Sequence, residues 1–213
     1  LIINGVECEP YLTSDHRLML EKADEIMIGI RIVLKAVGLK KALVGIEDNT
    51  PDAIARLKQA AAPYPEIEIY ALKVLYPQGG ERQLVKALTN REIPPPPSGL
   101  PIDVGCVVFN VATCFAIYEA VQKNKPLIER IVTVTGDSVK NPSNFRVRIG
   151  TPIRTLIDAA GGLPEDTAKV IRGSVMMGKA IPDISIPITK GAGGIVVVPE
   201  KEAKRKQKQV CIR

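Results

Sequence analysis

The chain has 213 residues, of which 46% are hydrophobic and 24% charged, and its net charge is +6. This is enough to bury one good core and a second, smaller one, while no apolar run approaches the roughly 20 residues that a bilayer-spanning helix needs. Five Tyr and three Phe are scattered along the chain rather than interleaved with basic residues, which argues against nucleic-acid binding. The four cysteines match neither a disulfide framework nor a complete zinc motif.

The first part of the chain alternates predicted strands and helices. A strand ends at Asn4, and a loop then leads to a helix that has Ser14 as its N-cap and ends at Gly38, with apolar residues every three or four positions. Next come a strand at residues 41–47, a helix opened by Thr50-Pro51 and a strand at residues 67–75. This alternation predicts a parallel sheet with crossover helices.

The remaining elements suggest two domains. Gly79-Gly80 opens a helix, four prolines at residues 94–97 exclude helix and central strand, and a strand at 106–109 leads through Asn110 into a helix. Beyond residue 124 short strands are predicted at 131–135, 145–149, 170–173, 184–188 and 195–198, with a helix at 152–160 capped by Thr151. We therefore predict an α/β domain over residues 1–125, a small α+β module over residues 130–199 and a basic linker over residues 200–213.

Three loops that follow predicted strands are candidate ligand contacts. Their sequences are NGVECEP at residues 4–10, YPQGGER at 76–82 and FNVAT at 109–113. Ligands of open parallel sheets bind at the carboxyl ends of the strands, so one ligand could touch all three loops. Glycines permit close backbone approach, and helix N-termini favour anionic groups. The alternatives are a polar turn, a turn in which Glu81 complements a helix dipole, and Asn110 as a plain helix cap.

Three stretches of the sequence match the pattern of a known family. They are NGVECEPYLTSDHRLMLE, YPQGGERQLVKALTNREIPPPPSGLP and VVFNVAT. These stretches resemble the C subunit of the Rnf electron-transport complexes and, more remotely, the flavoprotein subunit of respiratory complex I and the diaphorase subunits of NAD-linked hydrogenases. The resemblance covers essentially the whole chain. It implies a parallel-sheet, flavin-binding α/β domain followed by a small β-grasp-like α+β module of the soluble-ligand-binding type.

The resemblance also implies FMN, NAD and [4Fe-4S] clusters as cofactors of the complete protein. Carried over by position, the resemblance implies that Glu9 lies near the nicotinamide and that Cys211 is a ligand of an iron–sulfur cluster. The residues implied to contact FMN are Asn4, Glu7, Gly80, Glu81, Asn110 and Thr113. The sequence departs from the complex I pattern at Val6, Arg82 and Phe109. The family's glycine-rich FMN loop would precede Leu1, so we expect a fragment that by itself binds FMN weakly and is inactive.

The function implied by the resemblance is that of a peripheral subunit on the cytoplasmic side of the inner membrane. It would pass electrons between NAD(H), FMN and iron–sulfur clusters in a ferredoxin–NAD oxidoreductase complex, coupled through partner subunits to ion translocation. Its partners would be the other Rnf subunits and a ferredoxin-linked iron–sulfur subunit. The alternative is a non-catalytic scaffold that has lost its flavin and docks membrane partners, against which the retained Asn4, Glu7, Glu81 and Asn110 argue.

Overall fold

The computed structural model describes residues 1–95 and 99–203. Chain contacts divide it into two compact units: the first comprises Leu1–Glu9 and Thr13–Ile128, and the second comprises Pro10–Leu12 and the chain from Glu129 onward. Cys211 and most of the predicted basic linker lie outside the described residues, as do residues 96–98, which include two of the four prolines at residues 94–97.

A four-stranded parallel sheet forms the centre of the first unit, as predicted. Its strands are β1 (Ile2–Asn4), β2 (Ala42–Glu47), β3 (Ile67–Leu72) and β4 (Val108–Asn110), in the order β3-β2-β1-β4. The short β1 therefore lies between β2 and β4 and pairs with both. Since the four strands run parallel, their carboxyl ends, and the loops that follow them, meet at one edge of the sheet.

Five α-helices cover the two faces of this sheet. They are α1 (Ser14–Glu21), α2 (Ala23–Val37), α3 (Pro51–Ala61), α4 (Glu81–Thr89) and α5 (Val111–Lys123). Successive side chains of a strand point to opposite faces. Ile3 accordingly packs into the larger core with α1, α2, α3 and α5, whereas Ile2 packs into a smaller core with Leu84 and Val85 of α4.

The predicted single helix between Ser14 and Gly38 is in fact two helices. The helix is interrupted at Lys22, whose φ of −129° is not helical, although its N–H still donates to the carbonyl of Leu18. The prediction of Ser14 as N-cap was also wrong, because Thr13 occupies that position and Ser14 is the first helical residue. Gly38 ends α2 with a left-handed φ of 69°, as predicted.

The second unit is a small α+β module, as predicted. Its elements are β5 (Glu129–Thr135), β6 (Ser143–Arg148), α6 (Ile153–Ala159), β7 (Thr167–Arg172), β8 (Lys179–Ile181) and β9 (Gly194–Pro199). The sheet order is β6-β5-β9-β7-β8, with β5 and β9 parallel and the other pairs antiparallel. Ile153, Leu156 and Ile157 of α6 pack against the valines of β5 and β9.

The predicted strand at residues 184–188 and the predicted cap at Thr151 are both wrong, for one reason. The Asp183 carboxylate accepts hydrogen bonds from the N–H and hydroxyl of Ser185, which turns the chain. The carbonyls of Ile184 and Ile186 then accept from the N–H groups of Arg154 and Ile153 at 2.8 and 3.0 Å. This segment thus satisfies the first turn of α6 from outside, and no side chain caps that helix.

Candidate functional site

Asn4 joins the three predicted loops at the carboxyl edge of the parallel sheet. Its Nδ2 donates to the carbonyl of Gly79 at 2.9 Å, while its Oδ1 accepts from the N–H of Val6 at 3.0 Å. Asn110 Nδ2, at the end of β4, lies 3.4 Å from the carbonyl oxygen of Asn4. The loops after β1, β3 and β4 are therefore held against one another in this edge.

Asn110 caps α5, as the alternative interpretation of this residue predicts. Its Oδ1 accepts from the N–H of Ala112 at 2.8 Å, and its Nδ2 also donates to the carboxylate of Asp15 at 2.7 Å. Thr113 lies in the first turn of the same helix with an exposed side chain. Asn110 thus positions the loop, and its predicted contact with FMN, like that of Thr113, stays a prediction.

Glu7 supplies the helix cap that Ser14 was expected to supply. Its carboxylate accepts from the N–H groups of Asp15 and His16 at 3.0 and 3.1 Å and from the hydroxyl of Ser14 at 3.2 Å. Burial raises the pKa of Glu7 to about 7, and the charge of Asp15 acts in the same direction, whereas the three hydrogen bonds lower it. The side chain is therefore committed to α1, and its predicted contact with FMN stays a prediction.

Gly79 lets the loop after β3 approach the loop after β1, and Gly80 packs against its own helix and loop. A Cβ added at Gly79 would lie 3.0 Å from the Val6 carbonyl oxygen and 3.1 Å from Cys8 Sγ. One added at Gly80 would lie 2.5 Å from Gln83 Oε1. Gly80 holds the N-cap position of α4, where no side chain caps the helix, and Glu81 follows with an exposed side chain.

Arg82 has a structural task that the sequence did not suggest. Its guanidinium donates to the carbonyls of Ile93, Pro94 and Gly99, at 3.2 Å for Ile93 and 2.8 Å for Gly99. Arginine presents five donors in a fixed fork, so one side chain can hold several carbonyls. Where the complex I pattern has a Glu, this chain therefore ties the start of α4 to the segment that follows it.

Glu9 and Cys8 form the more polar part of the same edge. Glu9 Oε1 accepts from the hydroxyl of Tyr76 at 3.2 Å, while its Oε2 is buried and receives no hydrogen bond from the described residues. Burial raises the pKa of the Cys8 thiol, and the charges of Glu47 and Glu9 raise it further, against a lowering contact with the N–H of Gly79. The thiol is therefore neutral at pH 7.

Glu47 is a site residue that the sequence reasoning missed. It ends β2 and is only 4% exposed, and its Oε1 is buried without a hydrogen bond from the described part of the chain. The sequence pattern could have identified Glu47, because a carboxylate at the carboxyl end of a buried parallel strand lies where ligands bind. Within residues 1–95 and 99–203, no three or more His, Cys, Asp or Glu side chains group as a metal site, and no helix is long and apolar enough to cross a bilayer.

The fold resembles that of a solved NAD-linked enzyme. The structure of an NAD⁺-reducing [NiFe]-hydrogenase in the H₂-reduced state superposes with a TM-score of 0.76 at 20% sequence identity, covering 94% of this chain and 40% of that chain. The air-oxidised state of the hydrogenase gives a TM-score of 0.74. At this identity the likeness concerns the fold.

Several curated proteins are similar over the whole chain. The C subunit of the proton-translocating ferredoxin:NAD⁺ oxidoreductase complex of Clostridium ljungdahlii is 45% identical over 212 residues. The C subunits of the Na⁺-translocating complex of Acetobacterium woodii and of the ion-translocating oxidoreductase complex of Rhodobacter capsulatus are each 42% identical. The chain spans 46%, 47% and 41% of these relatives, so less than half of each.

Two family models match successive parts of the chain. The Nuo51 FMN-binding domain matches residues 1–119, and the SLBB domain matches residues 131–180. These matches and the whole-chain relatives confirm the resemblance found in the sequence. The chain belongs to the Nuo51 FMN-binding domain family, with an SLBB domain following, and its relatives there are the C subunits of Rnf complexes.

Proposed function

We propose that this chain is the flavin-binding part of a ferredoxin:NAD⁺ oxidoreductase subunit, with FMN and NAD(H) at the carboxyl edge of the first unit's sheet. The observation that carries the proposal is the meeting of three loops at Asn4, beside two glycines and a buried carboxylate oxygen of Glu9 that lacks a partner among the described residues. Buried polar atoms in native proteins nearly always have hydrogen-bond partners. An atom without one at the carboxyl edge of the sheet therefore suggests that a ligand supplies the partner.

The residues of this edge are suited to a flavin. The N-terminus of α4, which no side chain caps, favours the negative or acceptor atoms of a ligand. Asn4 and Asn110 hold the loops in place, and Glu81 and Thr113 present exposed polar groups beside them. Glu9 keeps one carboxylate oxygen available for the nicotinamide. FMN, when bound, supplies the conversion between hydride and single-electron transfer.

The proposal extends to the complex as a whole. The names of the Clostridium and Acetobacterium relatives describe proton and Na⁺ translocation by their complexes, which supports a membrane complex with further subunits as partners. In our proposal this chain lies on the cytoplasmic side as a peripheral part, and electrons continue to [4Fe-4S] clusters. Cys211 would be one ligand of such a cluster, since clusters are held by cysteine thiolates.

The competing function is a scaffold that has lost its flavin and docks membrane partners. A scaffold has no need for a buried carboxylate oxygen without a partner in the described chain. That oxygen has a use if a cofactor occupies the edge. The flavin-binding function therefore accounts for more of the observations.

The test is the flavin content of the full-length protein and of three variants. We expect Glu81→Ala and Asn110→Ala each to weaken FMN binding by about 5- to 150-fold, since the loss of a partner for a buried polar group costs about 1–3 kcal/mol. Glu9→Gln should keep FMN and slow its reduction by NADH. Glu92→Ala is the matched control, because Glu92 is exposed and pairs with Lys86 toward the far end of α4.

Absorbance after gel filtration gives the bound FMN, and stopped-flow absorbance gives the rate of reduction. A wild-type protein without flavin would support the scaffold, and so would three variants that retain wild-type flavin and NADH kinetics.

A further inference from the structure

Glu47 lies on the same face of the sheet as α4. Side chains two residues apart along a strand share a face, and a Cβ added at Gly45 would lie 2.8 Å from Leu84 of α4. Leu72, the residue paired with Glu47 across to β3, packs into the small core beneath α4. The Glu47 carboxyl is therefore placed at the carboxyl end of the sheet, on the face that α4 and its glycine-rich loop cover.

The polar contacts of Glu47 with Thr50 go to its main chain rather than to its carboxyl. The Thr50 hydroxyl and N–H donate to the Glu47 carbonyl at 2.9 and 3.2 Å. Carboxyl Oε1 is buried, and no described residue donates to it. Burial raises the pKa of this carboxyl, and the neighbouring charge of Asp48 raises it further. A buried carboxyl with an unused oxygen is costly unless it carries a proton or gains a partner.

A second observation places this carboxyl near the candidate flavin edge. The N–H of Gly5, at the start of the loop that carries Cys8 and Glu9, donates to the carbonyl of Gly45, two residues before Glu47, at 2.9 Å. The charges of Glu47 and Glu9 also both raise the pKa of the Cys8 thiol. Cys8 Sγ in turn lies beside Gly79, in the loop that Asn4 holds. Two carboxylate oxygens without partners among the described residues, Glu9 Oε2 and Glu47 Oε1, thus belong to one small region.

We propose that Glu47 is a further flavin-binding residue, whose buried carboxyl forms a hydrogen bond with the bound FMN. The inference rests on the proposed function and adds a residue that the sequence pattern did not identify. Glu47 is assigned to the flavin, whereas Glu9 is assigned to the nicotinamide. The two carboxyls then have distinct partners within one site.

The experiment measures FMN affinity in the full-length protein by flavin fluorescence. Glu47→Leu should weaken FMN binding by about 5- to 150-fold, and Glu47→Gln, which keeps a donor, should stay within about 5-fold of wild type. The control is Asp24→Asn, because Asp24 is exposed and pairs with Arg56, so its removal changes charge without emptying a buried position. The flavin-free Glu47→Leu variant should melt no lower than the flavin-free wild type.

Unchanged FMN affinity in Glu47→Leu would overturn the assignment, since the carboxyl would then form no hydrogen bond with FMN. If Glu47→Leu does not fold, infrared spectroscopy decides: FMN binding should shift a carboxyl band in wild type, and Glu47→Gln should lack that band. Absence of any such shift would equally overturn the assignment. A wild-type protein that binds no FMN would instead overturn the proposed function itself.

Discussion

Glu7→Ala should destabilise the first unit, because the Glu7 carboxylate is the cap of α1. The substitution removes three hydrogen bonds, two of them from main-chain N–H groups at the start of the helix. Loss of a helix cap costs about 0.5–2 kcal/mol, and a buried donor left without an acceptor costs about 1–3 kcal/mol. We expect a loss of about 2–4 kcal/mol, which is a large share of the roughly 5–15 kcal/mol that holds a domain together.

The pH dependence of stability provides a second test of the role of Glu7. The pKa of Glu7 is raised from 4.5 to about 7 by folding, so the folded protein binds this proton more tightly than the unfolded chain. The resulting stabilisation is complete below pH 4.5 and is lost as pH rises through about 7. At 1.36 kcal/mol per pKa unit the contribution is about 3 kcal/mol. Glu7→Gln cannot ionise and should remove this part of the slope.

Urea unfolding followed by circular dichroism, between about pH 5 and pH 8, measures both effects. Glu21→Ala is a suitable control, because Glu21 is exposed at the other end of α1 and pairs with Arg17 on the surface. A Glu7→Ala variant within about 0.5 kcal/mol of wild type at pH 5 would refute the capping argument. An unchanged pH slope in Glu7→Gln would refute the argument from burial.

Two further predictions concern the packing of α2 against α5. A Cβ at residue 29 would lie 2.0 Å from the carbonyl oxygen of Cys114. Gly29→Ala should therefore lower stability by about 1–3 kcal/mol or more, as measured by thermal unfolding. The control is Gly191→Ala, which should change stability little because the space around Gly191 is open. Burial raises the pKa of the Cys114 thiol to about 12, so maleimide at pH 8 should label Cys114 only after urea is added. Labelling of folded Cys114, detected by peptide mass, would contradict the described core.

The regular elements of the first unit were predictable because their signals are local. Apolar spacing, Pro51 at a helix start and Gly38 at a helix end each act over a few residues. The break at Lys22 was not predictable, because the apolar pattern continues in phase through it. Residues 184–188 carry an alternating apolar pattern that a strand would show, yet their carbonyls serve the first turn of α6.

The sequence predicted where the candidate site lies, but it did not predict which contacts the side chains of the site make. The rule that ligands bind at the carboxyl ends of parallel strands brought three loops together, and the structure joins them through Asn4. The partners of Glu7, Arg82 and Glu47 depend on how distant segments pack. A carboxylate in a loop can bind a ligand or cap a helix, and the sequence contains nothing that separates the two uses.

The position of β1 between β2 and β4 has a consequence for folding during synthesis. Asn4 and Asn110 are neighbours across the sheet although they are 106 positions apart in the chain. Joining such distant strands carries the loop-closure cost that slows folding of non-local topologies. At roughly 5–20 residues per second, the ribosome needs on the order of 5 to 20 s to make that stretch. For that time the edge of β1 has no β4 beside it, and an open edge of a strand that contains Ile2 and Ile3 is a template for unwanted pairing.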